Sequence, residues 1–251
     1  MEIRESGGTV LNISKRELCY TDDPLGFKFP RSINNLWNTL YVPSGSDYNV
    51  ILADGSEIKV NSKSSIRFKI NDTQDDRVVY LSGEAYFKVE NIDNKPFVVR
   101  TSKGDIRVLG TEFNVRNYDD EKAVITTLEK GMIKYNPKDV RKPSIIILPG
   151  IQVIDDDYSN ELRIELVNTY LYTSWKDGKY IFEDTSLEEI MKVLEKWYDV
   201  KFIYDSKEIK KIHYTGVLKK YENINSMLDF LETSEEISFQ IFGETIIIKN
   251  K

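Results

Sequence analysis

The chain has 251 residues, of which 40% are hydrophobic and 30% charged, with a formal net charge of −6. That is the composition of a globular protein of one large or two ordinary domains, and the acidic balance argues against a general nucleic-acid binder, which needs a basic footprint. A single cysteine, Cys19, excludes an intrachain disulfide scaffold, although a chain of this length can build a core without one in an oxidising compartment.

The first forty residues say least. Thr9 to Ile13 reads as a strand, and Thr21 to Arg31, with two prolines and a glycine, as a loop. From Tyr41 the chain becomes a series of short strands. Asp54-Gly55 separates VILA from SEIKV and predicts a hairpin in which Val50 and Leu52 answer Ile58 and Val60. Asn71 to Asp76 is a polar loop. Arg77 to Tyr118 alternates with period two (Val79 and Leu81; Ala85, Phe87 and Val89; Phe97 and Val99), the mark of half-buried strands. Gly83 and Gly110 fall where strands meet, at positions suited to a bulge or a close backbone approach. Strands at this spacing with no helical period between them predict an all-β architecture, a sandwich or a stacked, solenoid-like sheet. The longest apolar stretch, Ser144 to Ile154, is far short of the ~20 residues of a membrane-spanning helix and is broken by Pro149 and Gly150. No signal peptide opens the chain. Asp155 to Asp157 reads as a solvated acidic loop before a strand LRIELV, because it lacks the spaced ligands of a calcium loop.

After a junction at Asn168 to Gly178 the pattern changes, dividing the chain into an all-β domain with its N-terminal arm (1–172) and an α+β domain (173–251). A strand at Lys179 to Phe182 comes first. Leu187, Ile190, Met191 and Leu194 then form a helical stripe, with Ser186 and Glu189 as a capping box. Strands VKFIY and HYTGVL follow. Ile224, Met227, Leu228 and Leu231 form a second helix behind Asn223 as N-cap. The hairpin ISFQIF and TIIIKN closes the chain. The order is β-α-β-β-α-β-β.

Residues for chemistry are sparse. His213 is the one histidine and has no partner at ligand or catalytic spacing. Cys19 has no CxxC motif or nearby histidine. Glu84 and Glu112 are acids on a β-scaffold, but nothing places them at glycosidase separation, and structural or surface roles are expected. Phe87, Phe97, Phe113, Trp175 and Trp197 are expected in the core. No catalytic residue, cofactor or metal site is assigned.

Several motifs in order carry a family resemblance: VPSGSDYNVILADGSEIKVNSKSSIRF (Val42 to Phe68), VYLSGEAYFKV, PFVVRT, VLGTEFNVRNY, LEKGMIKY and LPGIQV. Together they resemble the sensor domain of FecR-type anti-sigma factors. Trp175-Lys176-Asp177-Gly178 with IFEDTSLEEIMKVLEKWYDVKF resembles the C-terminal domain these proteins carry in Bacteroidetes-type bacteria. The resemblance implies an antiparallel, partly solenoid-like β-domain, and a second domain similar to the signalling domain of secretins and TonB-dependent transducers. It implies the periplasmic part of a transmembrane regulator, relaying a signal from an outer-membrane TonB-dependent receptor to an extracytoplasmic-function sigma factor. The membrane helix and sigma-binding segment would lie outside this sequence, which is expected to be an excised extracytoplasmic piece. The partner is then the N-terminal signalling domain of the receptor. A mode of binding follows from the closing strand: Thr245, Ile246, Ile247, Ile248 and Lys249 would form a sheet edge onto which the partner adds a strand. The alternative is a carbohydrate-binding module that meets glycan through exposed Tyr and Trp on the β-domain.

Overall fold

The computed structural model describes residues 13–14, 17–19, 37–69, 77–220, 222–234 and 236–251. The loops expected over 21–31 and 71–76, and all but the end of the strand expected over 9–13, lie outside them. The chain forms two compact units, Met1–Thr169 and Tyr170–Lys251.

The described part of the first unit is built of strands. They are β1 (Ile13–Ser14), β2 (Glu17–Cys19), β3 (Trp37–Val42), β4 (Tyr48–Ile51), β5 (Glu57–Val60), β6 (Ser64–Lys69), β7 (Arg77–Val89), β8 (Phe97–Arg100), β9 (Gly104–Val108), β10 (Thr111–Asn117), β11 (Ala123–Lys130), β12 (Ile133–Pro137), β13 (Ile145–Ile147), β14 (Ile151–Asp156) and β15 (Arg163–Leu166). They make two curled sheets that share β7. The first runs β3-β6-β7-β8-β9-β12-β13 and the second β1-β2-β4-β5-β7-β10-β11-β14-β15. Pairing is mainly antiparallel, as expected, but β2–β4 and β7–β8 are parallel. The Asp54-Gly55 turn closes the β4–β5 hairpin with Val50 opposite Ile58. Gly55 takes a left-handed φ of 85°, and the Ser56 N–H donates to Asp54 Oδ1 at 2.8 Å.

Strand β7 sets this architecture. Its 13 residues, laid straight, would reach about 43 Å at ~3.3 Å each. Yet the Arg77 guanidinium, at its first residue, donates to the carbonyl of Glu90, just past its last, at 3.0 Å. The strand therefore folds back on itself. The reversal is at Gly83, whose φ is 105° and where a Cβ would stand 2.6 Å from the Ser64 Cα; no other residue fits. Residues before it pair with β6 and β8 in the first sheet, and residues after it with β5 and β10 in the second. The reversal also explains β8. Because the end of β7 returns to its beginning, the short connection from Glu90 to Pro96 can lay β8 parallel to β7, without the long crossover such a pair ordinarily needs. Gly110 also marks a close approach, since a Cβ there would meet the Asn91 Cβ at 2.7 Å.

Arg77 holds the fold-back closed. Its side chain is buried and pairs with Asp54 at 2.6 Å. It also donates to the carbonyls of Lys95 at 2.9 Å and Leu109 at 3.3 Å, and its guanidinium lies 5.4 Å from the Phe97 ring centre. One side chain thus joins the β4–β5 turn, both ends of β7, and the approaches to β8 and β10.

The core lies between the sheets. Phe87, from the second sheet, stacks on Phe113 with ring centres 5.0 Å apart and meets Phe97 of the first sheet edge-on at 6.1 Å. All three are fully buried, as expected. Among the described residues of this unit, the buried side-chain polar atoms have hydrogen-bond partners. Glu84 accepts from the side-chain amides of Asn61 and Asn114, both at 2.9 Å. The acidic run Asp155–Asp157 is not the solvated loop expected of it. Asp155 and Asp156 end β14 and are buried. The Asp155 carboxylate accepts from the Tyr135 hydroxyl at 2.6 Å and the Lys142 ammonium at 2.5 Å, which offsets its desolvation. Asp157 is exposed and pairs with Lys103.

The second unit contains α1 (Tyr170–Thr173), a 3-10 turn at Ser174–Asp177, β16 (Lys179–Ser186), α2 (Leu187–Tyr198), β17 (Lys201–Tyr204), a 3-10 turn at Ile209–Lys211, β18 (His213–Lys219), α3 (Ile224–Glu232), β19 (Ile237–Phe242) and β20 (Thr245–Asn250). After the first turn, the order of strands and α-helices is the β-α-β-β-α-β-β read from the sequence. The caps are those expected: the Glu189 N–H donates to the Ser186 hydroxyl and the Asn225 N–H to Asn223 Oδ1. Leu187, Ile190, Met191 and Leu194 of α2, and Met227, Leu228 and Leu231 of α3, are buried, as are Trp175 and Trp197. β16 and β18 pair with each other; β17, β20 and β19 form a separate sheet in that order.

Candidate partner-binding surface

The closing strand is not an edge. β20 lies in the middle of its sheet, parallel to β17 on one side and antiparallel to β19 on the other. The backbone edge proposed for Thr245, Ile246, Ile247, Ile248 and Lys249 is therefore already used on both sides. The reason lies in the apolar run itself. Ile246 and Ile248 are buried, at 1% and 0% exposure, and a strand that fills a core this completely is held best when flanked.

Each outer strand of this sheet has one outward N–H taken by a helix side chain. The Phe202 N–H of β17 donates to Glu195 Oε1 of α2 at 3.1 Å. The Phe239 N–H of β19 donates to Glu232 Oε1 of α3 at 2.6 Å. Each helix thus lends one carboxylate to a strand edge that would otherwise offer a bare donor.

What remains for a partner is the outward face. Strand parity places Thr245, Ile247 and Lys249 there, turned away from Ile246 and Ile248. Ile247 is flanked by Ile203 on one side and Gln240 on the other, and Thr245 by Lys201 and Phe242. Ile203 is 45% exposed and Phe242 62%, with Ile247 half-buried between the outer strands. This is a small apolar face with lysines at its margins. The alternation in KFIY and ISFQIF marks strands but not which alternate set faces out, so Ile203 and Phe242 could not be picked from the sequence.

The other residues weighed for chemistry are dispersed. Glu84 is buried in its amide network. Glu112, on the outer side of β10, accepts from the Tyr86 hydroxyl at 3.2 Å and from Lys130 at 3.4 Å. Burial and the nearby Glu129 and Glu112 push the Tyr86 phenol far above its ordinary range. His213 is exposed at the start of β18. Cys19 lies in β2; its side chain is outside what is described. Among the described residues, no group of His, Cys, Asp and Glu is placed to hold a metal, and no helix is long and apolar enough to cross a membrane.

Comparison with known proteins now bears on this arrangement. The FecR protein family matches residues 38–134 and the FecR C-terminal family matches 179–248, one in each unit and in family order. The chain belongs to the FecR family, that of the FecR-type anti-sigma factors whose motifs it carries. No curated protein matches the sequence. Two crystal structures of a candidate anti-sigma factor from Parabacteroides distasonis ATCC 8503, at 1.65 Å and 2.50 Å resolution, match the fold with TM-scores of 0.76 at 24% identity. The match covers 85% of this chain and 99% of the first structure, and 86% and 100% for the second. In this FecR chain the outward face of β17-β20-β19 falls within the C-terminal match, whereas the β7 fold-back and its Arg77 clamp fall within the sensor match.

Proposed function

We propose that this chain is the periplasmic part of a FecR-type anti-sigma factor, and that it relays a signal from a TonB-dependent outer-membrane transducer to an extracytoplasmic-function sigma factor controlling uptake genes. An anti-sigma role follows from the family; the transducer, the sigma class and the compartment are the reading advanced here. The observation that carries it is the exposed apolar face of Ile203, Ile247 and Phe242 on a small α+β unit. On this reading the chain performs no chemistry. It passes on binding free energy, which requires that the partner bind two of its states with different affinity. The partner is the transducer's N-terminal signalling domain, and it docks on the sheet face, because β20 is already paired on both sides and cannot take an added strand.

Calorimetric titration with the signalling domain of the transducer encoded beside this gene tests the reading. Micromolar affinity, about −8 kcal/mol, is expected. Ile203→Glu and Phe242→Glu should each weaken it by about tenfold or more, with circular dichroism unchanged. No binding to the signalling domain would overturn the relay. Direct glycan contact is less well supported. Trp175 and Trp197 are buried, and the half-exposed Trp37 has Arg67 over its ring at 4.8 Å, so it offers no bare stacking platform.

A further inference from the structure

We infer that the outer face of the first sheet is a docking surface for an acidic polypeptide segment. This inference does not depend on the relay. Two of the rows of outward positions on that sheet carry its charge. One row reads Thr39, Arg67, Tyr80, Arg100, Asp105 and Asn136 across β3, β6, β7, β8, β9 and β12. In the next row, Trp37 faces Lys69 across β3 and β6. Val98, Arg107, Lys134 and Ile146 follow one another across β8, β9, β12 and β13. Arg67, Arg100 and Lys134 are cations of one face, flanked there by Lys69 and Arg107, which have further interactions of their own; among these strand positions Asp105 is the one carboxylate. Its contact with Arg100 is long, 3.8 Å, and exposed on both sides. These described strand positions are therefore net positive in a chain of net charge −6.

The aromatic side chains of this face order the cations. Trp37 and Tyr80 pack edge to face with centres 5.3 Å apart. Arg67 lies 4.8 Å from the Trp37 centre and 5.8 Å from that of Tyr80, and Lys69 lies 5.3 Å from that of Trp37. Arg100 lies 5.5 Å from the Tyr80 centre and donates to its hydroxyl at 3.1 Å. Guanidinium planes held in this way lose less freedom when they bind a carboxylate, and arginine matches that planar acceptor bidentately. Because cations already cover the rings, they are poor platforms for a neutral sugar. Strands ~4.8 Å apart and side chains repeating every ~6.6 Å on one face put Arg100 two strands, about 10 Å, from Arg67 across the sheet, and Lys69 about 6.6 Å from Arg67 along β6. An acidic polypeptide laid across the sheet therefore meets successive cations.

Fluorescence anisotropy of labelled poly-L-glutamate, titrated with the full chain at low salt, tests this. Saturable binding is expected, weakening as salt shortens the screening length from ~30 Å at 0.01 M to ~8 Å at 0.15 M. Arg67→Glu with Arg100→Glu should weaken it at least about tenfold, whereas Lys130→Glu, on the other sheet, should leave it unchanged. If the reversed pair does not fold by near-ultraviolet circular dichroism, Arg67→Gln with Arg100→Gln takes its place with a smaller loss expected. No binding, or binding indifferent to these changes, overturns the inference. Binding to phosphatidylglycerol vesicles or to polygalacturonate but not to polyglutamate overturns the choice of a polypeptide.

Discussion

Arg77 shows how much one buried charge can organise. Its partners lie 13 to 32 residues away in sequence, so no local pattern announces it; in the sequence it is one arginine at the start of an alternating strand. Removing it would leave Asp54 and several carbonyls without their donor, and breaking a buried pair from one side ordinarily costs ~3–5 kcal/mol. Arg77→Met should therefore lower unfolding stability in urea by about that much, and a loss below ~1 kcal/mol would show that the clamp does not hold the fold-back. Tyr135 makes a second case. Burial and the Asp155 carboxylate push its phenol far above the ordinary range. In the unfolded chain the phenol ionises near ~10. The folded state keeps it protonated, so its contribution is full below that pH and is lost as pH rises toward the folded value. Tyr135→Phe should cost ~1–2 kcal/mol at neutral pH and make the alkaline fall in stability shallower, read from urea midpoints on either side of pH ~10. The tyrosine was visible in the sequence, but the aspartate beside it was misread as solvated because a run of three acids resembles a loop until its cations are located.

Whole elements were more legible than their pairings. Both long helices and their caps follow from a 3.6-residue stripe and a side chain at the cap position. The β4–β5 hairpin follows from Asp54-Gly55. Strand β7 was legible as a strand but not as a reversal, because its alternation resumes at Ala85, Phe87 and Val89 as though the chain ran straight; Gly83 was the only hint. β20 is flanked on both sides and is not the edge expected of it, because the continuous apolar run of TIIIKN is best buried between neighbours. The Glu232 contact leads to a prediction at this scale. Glu232→Ala would free the Phe239 N–H and uncover one side of β19. Stability should fall by ~1–2 kcal/mol, and self-association in sedimentation velocity should rise. Glu232→Gln keeps an acceptor at the same place and should stay closer to the unaltered chain. Equal behaviour of the two variants would mean that the carboxylate does not guard the edge.

At the scale of the molecule, the chain forms two compact units, Met1–Thr169 and Tyr170–Lys251. Among the described residues, the first unit's apolar cluster runs from Leu40 to Val153, with Leu162 at its periphery. Two compact units need not melt together. The tryptophans make this measurable, since Trp37 is in the first unit and Trp175 and Trp197 are buried in the second. In a Trp37→Phe chain, tryptophan emission should follow the second unit alone. Adding Arg77→Met should then move the circular-dichroism transition of the β-rich unit to lower urea and leave the emission transition where it was. If both shift together, the units unfold as one, and a change in one would reach the other through shared stability. If they separate, the units are independent folding units, and a partner bound to Ile203, Ile247 and Phe242 should raise the urea midpoint of the second unit and leave that of the first unchanged.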